Sequence, residues 1–307
     1  MDKYYYKIYG LTLESDYEFP QFVGIDPVDE ADIHIVYGNI PQDIYDYVEK
    51  GYYTADGHKE KWFVNRTGIF WIHGNDTINF AAHEGQSVDD AAQYLPGMAL
   101  SILLWFREMI MIHGACLRYK GKTVVVSGYS GAGKSSITTE LIKRGALLIA
   151  DDVTGIQEEN GVYYSYPAFP AQKLCKDQVE KNNMDAESLK QIRYDLNKYE
   201  IPRNDIFFNE KSEVDNFFLV DLASPNGQKL DRINVEKIDG AEKIKAVTDM
   251  IFIKWMFKEQ FPFTPADMMR CLGFAKDLNI HKITRNREKD TLQEIVDYID
   301  KTVSEEK

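Results

Sequence analysis

The sequence predicts an α/β protein with a small β-rich N-terminal module, residues 1–95, and a larger domain, residues 96–307, that combines a mixed β-sheet with flanking helices. Three observations predict this class. Short apolar runs alternate with turn residues in the first part of the chain. A glycine-rich loop then follows an apolar run, and a helical pattern behind the loop leads to a short apolar run that ends in two aspartates. Strand, glycine loop, helix and strand in this order are typical of a phosphate-binding βαβ-like unit.

The composition is that of an ordinary globular chain. Of the 307 residues, 44% are hydrophobic and 28% are charged, so neither disorder nor a fibrous repeat is indicated. The net charge of −13 disfavours general binding to nucleic acid or to anionic membranes, because those surfaces require a basic face. A phosphate ligand would therefore have to be held by local groups.

The cysteines are scattered without paired spacing, which favours a reducing compartment over a disulfide framework or a zinc site. They are Cys116, Cys175 and Cys271. The chain starts without a basic region followed by an apolar core, and its most apolar window, residues 96–117, is interrupted by Arg107 and Glu108. We therefore expect a cytoplasmic protein with neither a nucleic-acid partner nor a membrane partner.

Five apolar runs in the first part predict β-strands, because aromatic or β-branched residues stand at alternate positions between turn residues. They occupy residues 4–10, 31–38, 61–66, 68–74 and 77–82. We expect these strands to form a small antiparallel module. From Ser87 to about Glu108, apolar residues recur at helical spacing after an acidic first turn, which predicts a helix.

The second part predicts a hairpin over residues 109–127, then the glycine loop, an amphipathic helix that ends at Gly145 and a buried strand. Later apolar runs predict strands at residues 161–167, 216–222 and 230–238. A polar segment at 177–199 is expected to be helical. The tail, residues 240–307, is expected to be mostly helical with an extended piece at 281–286.

The glycine loop, residues 128–135, matches the pattern G-x-x-x-x-G-K-[ST]. Its glycines permit positive φ, so that backbone N–H groups can converge on phosphates, and the helix behind it adds its positive end. Lys134 can reach the β- and γ-phosphates of a nucleotide, and the Ser135 hydroxyl can bind the Mg²⁺ that bridges them. A chance match is disfavoured because the loop lies between a strand and a capped helix. The expected nucleotide-binding residues are Gly128, Tyr129, Ser130, Gly131, Ala132, Gly133, Lys134, Ser135 and Ser136.

Asp151 and Asp152 follow the buried strand and should lie at the sheet edge where ligands of α/β proteins bind. One carboxylate can polarise metal-bound water while the other accepts the proton of an attacking hydroxyl. The alternative interpretation is a turn capped by two solvated carboxylates. His113 lies near the end of a hairpin strand, where a lone histidine is more often a buried structural residue than a functional one.

A resemblance to the HPr kinase/phosphorylase family lies in residues 112–152, which read IHGACLRYKGKTVVVSGYSGAGKSSITTELIKRGALLIADD. The family's pattern of His-Gly, hairpin, Gly-Lys-Ser loop, helix ending in Lys-Arg-Gly, and Ala-Asp-Asp is present in order. Ordinary P-loop ATPases and GTPases do not carry Ala-Asp-Asp one short helix after the lysine. The resemblance implies a P-loop fold of the HPr-kinase and phosphoenolpyruvate-carboxykinase type. It also implies catalytic roles for His113, Lys134 and Asp152, and metal binding by Ser135 and Asp151.

Downstream the pattern differs. Where that family has a second metal-binding Glu and a catalytic Arg, this chain reads YPAFPAQKLCKD and KYEIPRND, so phosphorolysis of phosphoserine is not inferred. The layout is closer to the HPr-kinase-like proteins of lasso-peptide and other modified-peptide pathways, some of which phosphorylate a serine at the end of a precursor peptide. By that comparison Lys173, Lys198 and Arg203 are candidates for phosphate or substrate contacts, with solvated surface charge as the alternative.

The resemblance therefore implies an ATP- and Mg²⁺-dependent serine kinase whose partner is a peptide or protein with an acceptor serine, for example a precursor peptide. Two other classes stay open: a nucleotide-binding regulator, which would not need paired carboxylates beside its phosphates, and a kinase of a small molecule. A switch GTPase is disfavoured because the sequence has no Asn-Lys-x-Asp motif. The acceptor, the preference for ATP or GTP and the formation of a homo-oligomer are left open.

Overall fold

The protein divides into two compact units. Unit one comprises Met1–Met111 with Phe252–Thr264, and unit two comprises Ile112–Ile251 with Pro265–Lys307. Unit one thus runs past the boundary predicted at residue 95 and includes a segment from late in the chain. The structure, a computed structural model, describes residues 2–51, 53–57, 60–193, 198–224, 230–257 and 263–305.

Unit one is built on an eight-stranded sheet. Its strands are β1 (Tyr4–Ile8), β2 (Leu11–Ser15), β3 (Val23–Gly24), β4 (Ile33–Tyr37), β5 (Thr54–Gly57), β6 (Glu60–Val64), β7 (Gly68–His73) and β8 (Thr77–Ala82), in the order β3-β1-β2-β4-β8-β7-β6-β5. All five predicted strands are present. The expectation of a purely antiparallel module is wrong, because β4 pairs in parallel with both β2 and β8. Long crossovers on both sides of β4 permit this arrangement, whereas a chain of tight hairpins would not.

The helices of unit one are α1 (Gln42–Glu49), α2 (Val88–Ala92), α3 (Leu100–Phe106) and α7 (Phe252–Phe257). Helix α2 has the acidic first turn that the sequence predicts. Ser87 caps this helix, because its hydroxyl accepts a hydrogen bond from the Asp90 N–H at 3.0 Å. The prediction of one continuous helix from Ser87 to Glu108 is wrong. A π-helical segment, Leu95–Ala99, separates α2 from α3. It contains Pro96, which has no N–H to donate to the regular helical pattern.

Unit two contains a nine-stranded mixed sheet. Its strands are β9 (Ile110–Tyr119), β10 (Lys122–Gly128), β11 (Leu147–Ala150), β12 (Val153–Glu159), β13 (Val162–Tyr166), β17 (Ser212–Glu213), β18 (Asn216–Leu222), β19 (Ile233–Lys237) and β20 (Asn279–Arg285), in the order β17-β13-β12-β9-β10-β18-β20-β19, with β11 paired to β9. The hairpin of β9 and β10 is confirmed. In contrast, β10, β18 and β20 run parallel, so their carboxyl ends meet at one edge.

Four longer helices accompany this sheet: α4 (Lys134–Lys143), α6 (Ala241–Asp249), α8 (Pro265–Asp277) and α9 (Leu292–Glu305). Apolar residues of α4 and α9, including Ile137, Leu141 and Ile299, pack on Val126 and Phe218 in the main core of the unit. Within the described residues, no helix has both the length and the apolar character needed to cross a membrane.

The end of α4 confirms the predicted stop at Gly145. This glycine has φ +95°, and its N–H donates to Ile142 O at 2.9 Å, while the Ala146 N–H donates to Leu141 O at 3.0 Å. The two bonds satisfy carbonyl oxygens that the helix itself leaves unpaired, in the pattern of a Schellman motif.

The helix predicted at 177–199 is present only at its start, where α5 (Lys176–Lys181) lies, and the end of the segment belongs to a separate three-stranded sheet. The sheet consists of β14 (Ala171–Cys175), β16 (Lys198–Pro202) and β15 (Lys190–Arg193), in the order β14-β16-β15, and α5 lies in the chain between β14 and β15. Residues 194–197 of the predicted helix lie outside the described residues. Leu174 of β14 and Ile201 of β16 are buried in a small apolar cluster with Val179 of α5, and this burial of one sheet face stabilises strands in place of a helix that would continue to residue 199.

Candidate functional site

The glycine loop connects β10 to α4 and has the backbone conformation that the sequence predicts. Gly128, Gly131 and Gly133 have φ values of +148°, +79° and +103°. Because the first N–H groups of a helix have no partner within it, and Gly133 has no side chain to cap them, these donors face the loop. Ser135 and Ser136 follow Lys134 in the first turn of α4. The loop and helix end thus suit an anionic oxygen ligand.

Close packing of the loop against β18 explains its first glycine. Gly128 is paired with Val220, and a Cβ on Gly128 would overlap the Val220 carbonyl oxygen and lie 3.0 Å from its carbonyl carbon. Gly131, in contrast, has open space where a Cβ would stand. The first glycine is therefore required by packing and the second by its backbone angle alone.

Lys134 lies across the glycine loop. Its ammonium donates to the carbonyl oxygens of Gly128 at 2.7 Å and Tyr129 at 3.3 Å. Burial lowers the pKa of Lys134 to about 8, although the charge of Asp152 acts in the opposite direction. The structure therefore holds a positive charge at the loop, as the sequence predicts.

Asp151 and Asp152 follow β11 and lie half-buried in unit two, which disfavours two solvated turn carboxylates. Asp152 has φ +65°, a left-handed conformation that few residues other than glycine adopt. Burial, reinforced by the charge of Asp152, raises the pKa of Asp151 to about 6. Burial also acts to raise the pKa of Asp152, but the Lys173 ammonium and His113 outweigh it and hold that pKa well below its usual range.

His113 is brought to the carboxylate pair by β9, which lies beside β11. The buried imidazole places Nδ1 3.2 Å from the Asp152 carbonyl oxygen and 4.0 Å from Asp152 Oδ1. Burial, with the charge of Lys134, lowers the pKa of His113 to about 4. The ring is therefore neutral near neutral pH.

We expect His113 to make folding stability fall with acidification. The pKa of His113 in the folded protein, about 4, lies below the ordinary value of 6.5. Between these two pH values the imidazole therefore binds a proton in the unfolded chain but not in the folded protein. From about pH 7 to about pH 5 this difference removes roughly 2 kcal/mol of stability. In urea unfolding at both pH values, the free energy of unfolding of His113→Gln should decline less than that of the wild-type protein, by that amount. His83→Gln, in unit one, is the control, and an undiminished decline in His113→Gln would contradict the prediction.

Lys173 bridges the two aspartates from β14. Its backbone N–H donates to Asp151 Oδ2 at 2.7 Å, and its ammonium lies 2.9 Å from Asp152 Oδ2. Burial is the largest cause of the pKa shifts of four groups at the site, and the charge of Lys198, on β16, acts on all four: His113, Lys134, Asp151 and Asp152. The structure therefore brings Lys173 and Lys198 to the site, as the resemblance implies.

Arg203 supports the site indirectly, through a side chain that bonds to α4. Its Nε and one terminal nitrogen donate to Gln172 Oε1 at 3.1 and 2.7 Å. The buried Gln172 amide in turn donates to the hydroxyls of Thr138 and Thr139 on α4, at 3.1 Å each. These contacts explain Arg203 as a support of the loop helix, and its role as a substrate contact stays a prediction.

Two residues at the site were missed by the sequence analysis. Arg285, at the end of β20, donates from Nε to Ala132 O at 2.9 Å and from a terminal nitrogen to Gly131 O at 3.3 Å. Glu200 is the cross-strand partner of Lys173, and burial raises its pKa against the nearby lysine charges. Only the strand order could have placed Arg285 beside the loop, and only the pairing of β14 with β16 could have placed Glu200 opposite Lys173.

The strand, glycine loop and helix, with half-buried carboxylates after the next strand, define a P-loop domain. Residues 105–202 match the family model described as HPr Serine kinase C-terminal domain. Over these residues the chain is similar to the HPr kinase family, which confirms the resemblance noted in the sequence.

Known relatives resemble this chain over a short stretch. The HPr kinase/phosphorylase of Treponema pallidum (strain Nichols) is 43% identical over 56 residues, 18% of each chain. That of Alkaliphilus metalliredigens (strain QYMF) is 48% identical over 48 residues, 16% of each chain. The match therefore spans less than a fifth of these relatives' length. The solved HPr(Ser) kinase/phosphatase from Coxiella burnetii aligns with 63% of this chain and 95% of its own at 17% identity, with a TM-score of 0.32.

Proposed function

We propose that the protein is an ATP-dependent kinase that transfers the γ-phosphoryl group to a serine hydroxyl of a peptide or protein. The observation that carries this proposal is Asp152. Its carboxylate lies 2.9 Å from the Lys173 ammonium and beside His113, in the unit that also holds the glycine loop. A carboxylate that stays ionised next to a phosphate-binding loop is what proton removal from an acceptor hydroxyl requires.

The residues present fit ATP and Mg²⁺. The backbone N–H groups of the loop and the start of α4 would bind the phosphates, with Lys134 as the local positive charge. The Ser135 hydroxyl and the Asp151 carboxylate are the oxygen donors that Mg²⁺ prefers. When bound, Mg²⁺ neutralises charge on the β- and γ-phosphates.

In the proposed reaction, Asp152 accepts the proton of the serine hydroxyl as the serine oxygen forms a bond to the γ-phosphorus. The bond between that phosphorus and the bridging oxygen breaks, and ADP leaves with the electron pair. Lys134 and the loop N–H groups compensate the negative charge on the leaving oxygens. The buried, neutral His113 holds the backbone of Asp152 in place, because its imidazole Nδ1 contacts the Asp152 carbonyl oxygen.

We further propose that the acceptor is a precursor peptide of a lasso-type or related modified-peptide pathway, on the layout of the sequence, and that the protein acts in the cytoplasm. A nucleotide-binding regulator and a small-molecule kinase are the alternatives. The half-buried carboxylate pair favours an enzyme over a regulator, because two neighbouring carboxyl groups whose pKa values are shifted in opposite directions are typical of a functional site.

Mass spectrometry after incubation with ATP and Mg²⁺ tests the acceptor class. We expect a phosphorylated product from a serine-ended peptide or from HPr, both supplied separately, and none when ATP is omitted. Transfer to the peptide alone would favour the precursor-peptide proposal. Absence of transfer to both acceptors, with ATP bound, would contradict the proposed protein or peptide kinase.

A further inference from the structure

The Lys173 ammonium can donate more hydrogen bonds than the one that Asp152 accepts. An ammonium has three donors, and in the described part of the chain the only side-chain partner of Lys173 is Asp152 Oδ2, at 2.9 Å. The side chain is only 19% exposed, so water has limited access to the remaining donors. A largely buried cation that can donate further hydrogen bonds beside a proposed base indicates a place for an anionic oxygen.

The backbone fixes where these donors lie. The N–H of Lys173 donates to Asp151 Oδ2 at 2.7 Å, and β14 is paired along its length with β16. Lys173 is thus held at both its backbone and its ammonium by the two carboxylates. Lys134, in contrast, donates to the loop carbonyl oxygens of Gly128 and Tyr129. The two lysines therefore serve different parts of the site.

Reaction geometry brings the transferred group close to Lys173. A general base lies about 2.6–3.2 Å from the acceptor oxygen, and the reacting oxygen and phosphorus lie about 3–3.5 Å apart. A phosphoryl group in transit to an oxygen held by Asp152 would then lie within reach of an ammonium bonded to the same carboxylate. Each of its three outer oxygens carries negative charge that needs a donor.

We propose that Lys173 is a catalytic residue that keeps one N–H on Asp152 and donates another to an oxygen of the phosphoryl group in transit. This inference rests on the proposed kinase function. The alternative is a positioning role, in which Lys173 acts only by holding Asp152.

Binding of a transition-state mimic separates these two roles. The probe is ADP with Mg²⁺ and aluminium fluoride, which imitates the planar phosphoryl group, and ADP with Mg²⁺ alone is the reference. The comparison uses Asp152→Asn with and without Lys173→Met, because Lys173→Met in the wild-type protein would leave the Asp152 carboxylate without the cation that pairs with it and could unfold the protein. Lys176→Met in the same Asp152→Asn background removes a half-exposed charge on α5 and is the matched control.

In the Asp152→Asn background, Lys173→Met should weaken binding of the aluminium fluoride complex about tenfold to hundredfold, with ADP affinity unchanged, because one charge-assisted hydrogen bond is lost. Lys176→Met should change neither affinity. Equal affinity for the aluminium fluoride complex with and without Lys173 would overturn the inference and leave a positioning role. If the wild-type protein bound that complex no more tightly than ADP, the proposed kinase function itself would fail, and the inference with it.

Discussion

Asp152→Asn is expected to reduce phosphoryl transfer by about 10²–10⁴ while ATP remains bound, because the asparagine amide cannot accept the proton of the acceptor hydroxyl. The nucleotide should keep its affinity, since the glycine loop and Lys134 make their contacts without Asp152. The change also removes one negative charge from a site that must receive phosphates. ATP affinity is therefore expected to be equal or slightly higher in the variant.

The measurement combines single-turnover transfer from labelled ATP with calorimetric ATP binding. Asp177→Asn, on the exposed surface of α5, is the matched control and should transfer at the wild-type rate. A variant at Asp152 that retains more than about a tenth of the wild-type rate would show that another group removes the proton. Parallel loss of ATP binding would instead indicate damage to the site.

Gly128→Ala is expected to have the largest effect on stability among single substitutions in the glycine loop. The new methyl group would overlap the Val220 carbonyl oxygen, and the backbone angle of +148° is one that alanine rarely adopts. Relief would require β10 and β18 to separate where they are hydrogen-bonded. We expect a loss of about 3 kcal/mol or more in the free energy of unfolding, together with loss of ATP binding.

Gly131→Ala separates the two causes. Its backbone angle of +79° is also unfavourable for alanine, but nothing lies within 4 Å of the added Cβ. This variant should lose only about 1–2 kcal/mol, the cost of the backbone strain. Urea unfolding of both variants provides the comparison, and equal losses would contradict the role assigned to the contact with Val220.

Local sequence signals were sufficient to predict the glycine loop and the strands and helix around it. The strand pattern predicted at 216–222 coincides with β18, and the helix stop at Gly145 is present as a capped end. Both depend on interactions within a few residues, such as the alternation of side chains along a strand or the positive φ of a glycine. The loop motif and the aspartates after β11 could likewise be read directly from residue types and spacing.

The chain alone did not determine which distant residues complete the site. The segment from 177 to 199 reads as a polar helix, yet α5 ends at Lys181 and the end of the segment enters a sheet in which β16 pairs with β14 and β15. That pairing brings Lys173 and Glu200 together, and the parallel pairing of β18 with β20 brings Arg285 to the loop.

The sequence by itself therefore determined the phosphate loop, its helix and the pair of carboxylates, because their signals are local. Only the tertiary structure decided that His113 is buried beside Asp152 and that Lys173 is bonded to the same carboxylate. The physical reason is that burial and charge pairing depend on strands that are far apart in the chain. Such long-range pairing is selected by the packing of the whole sheet, which no short window of residues specifies.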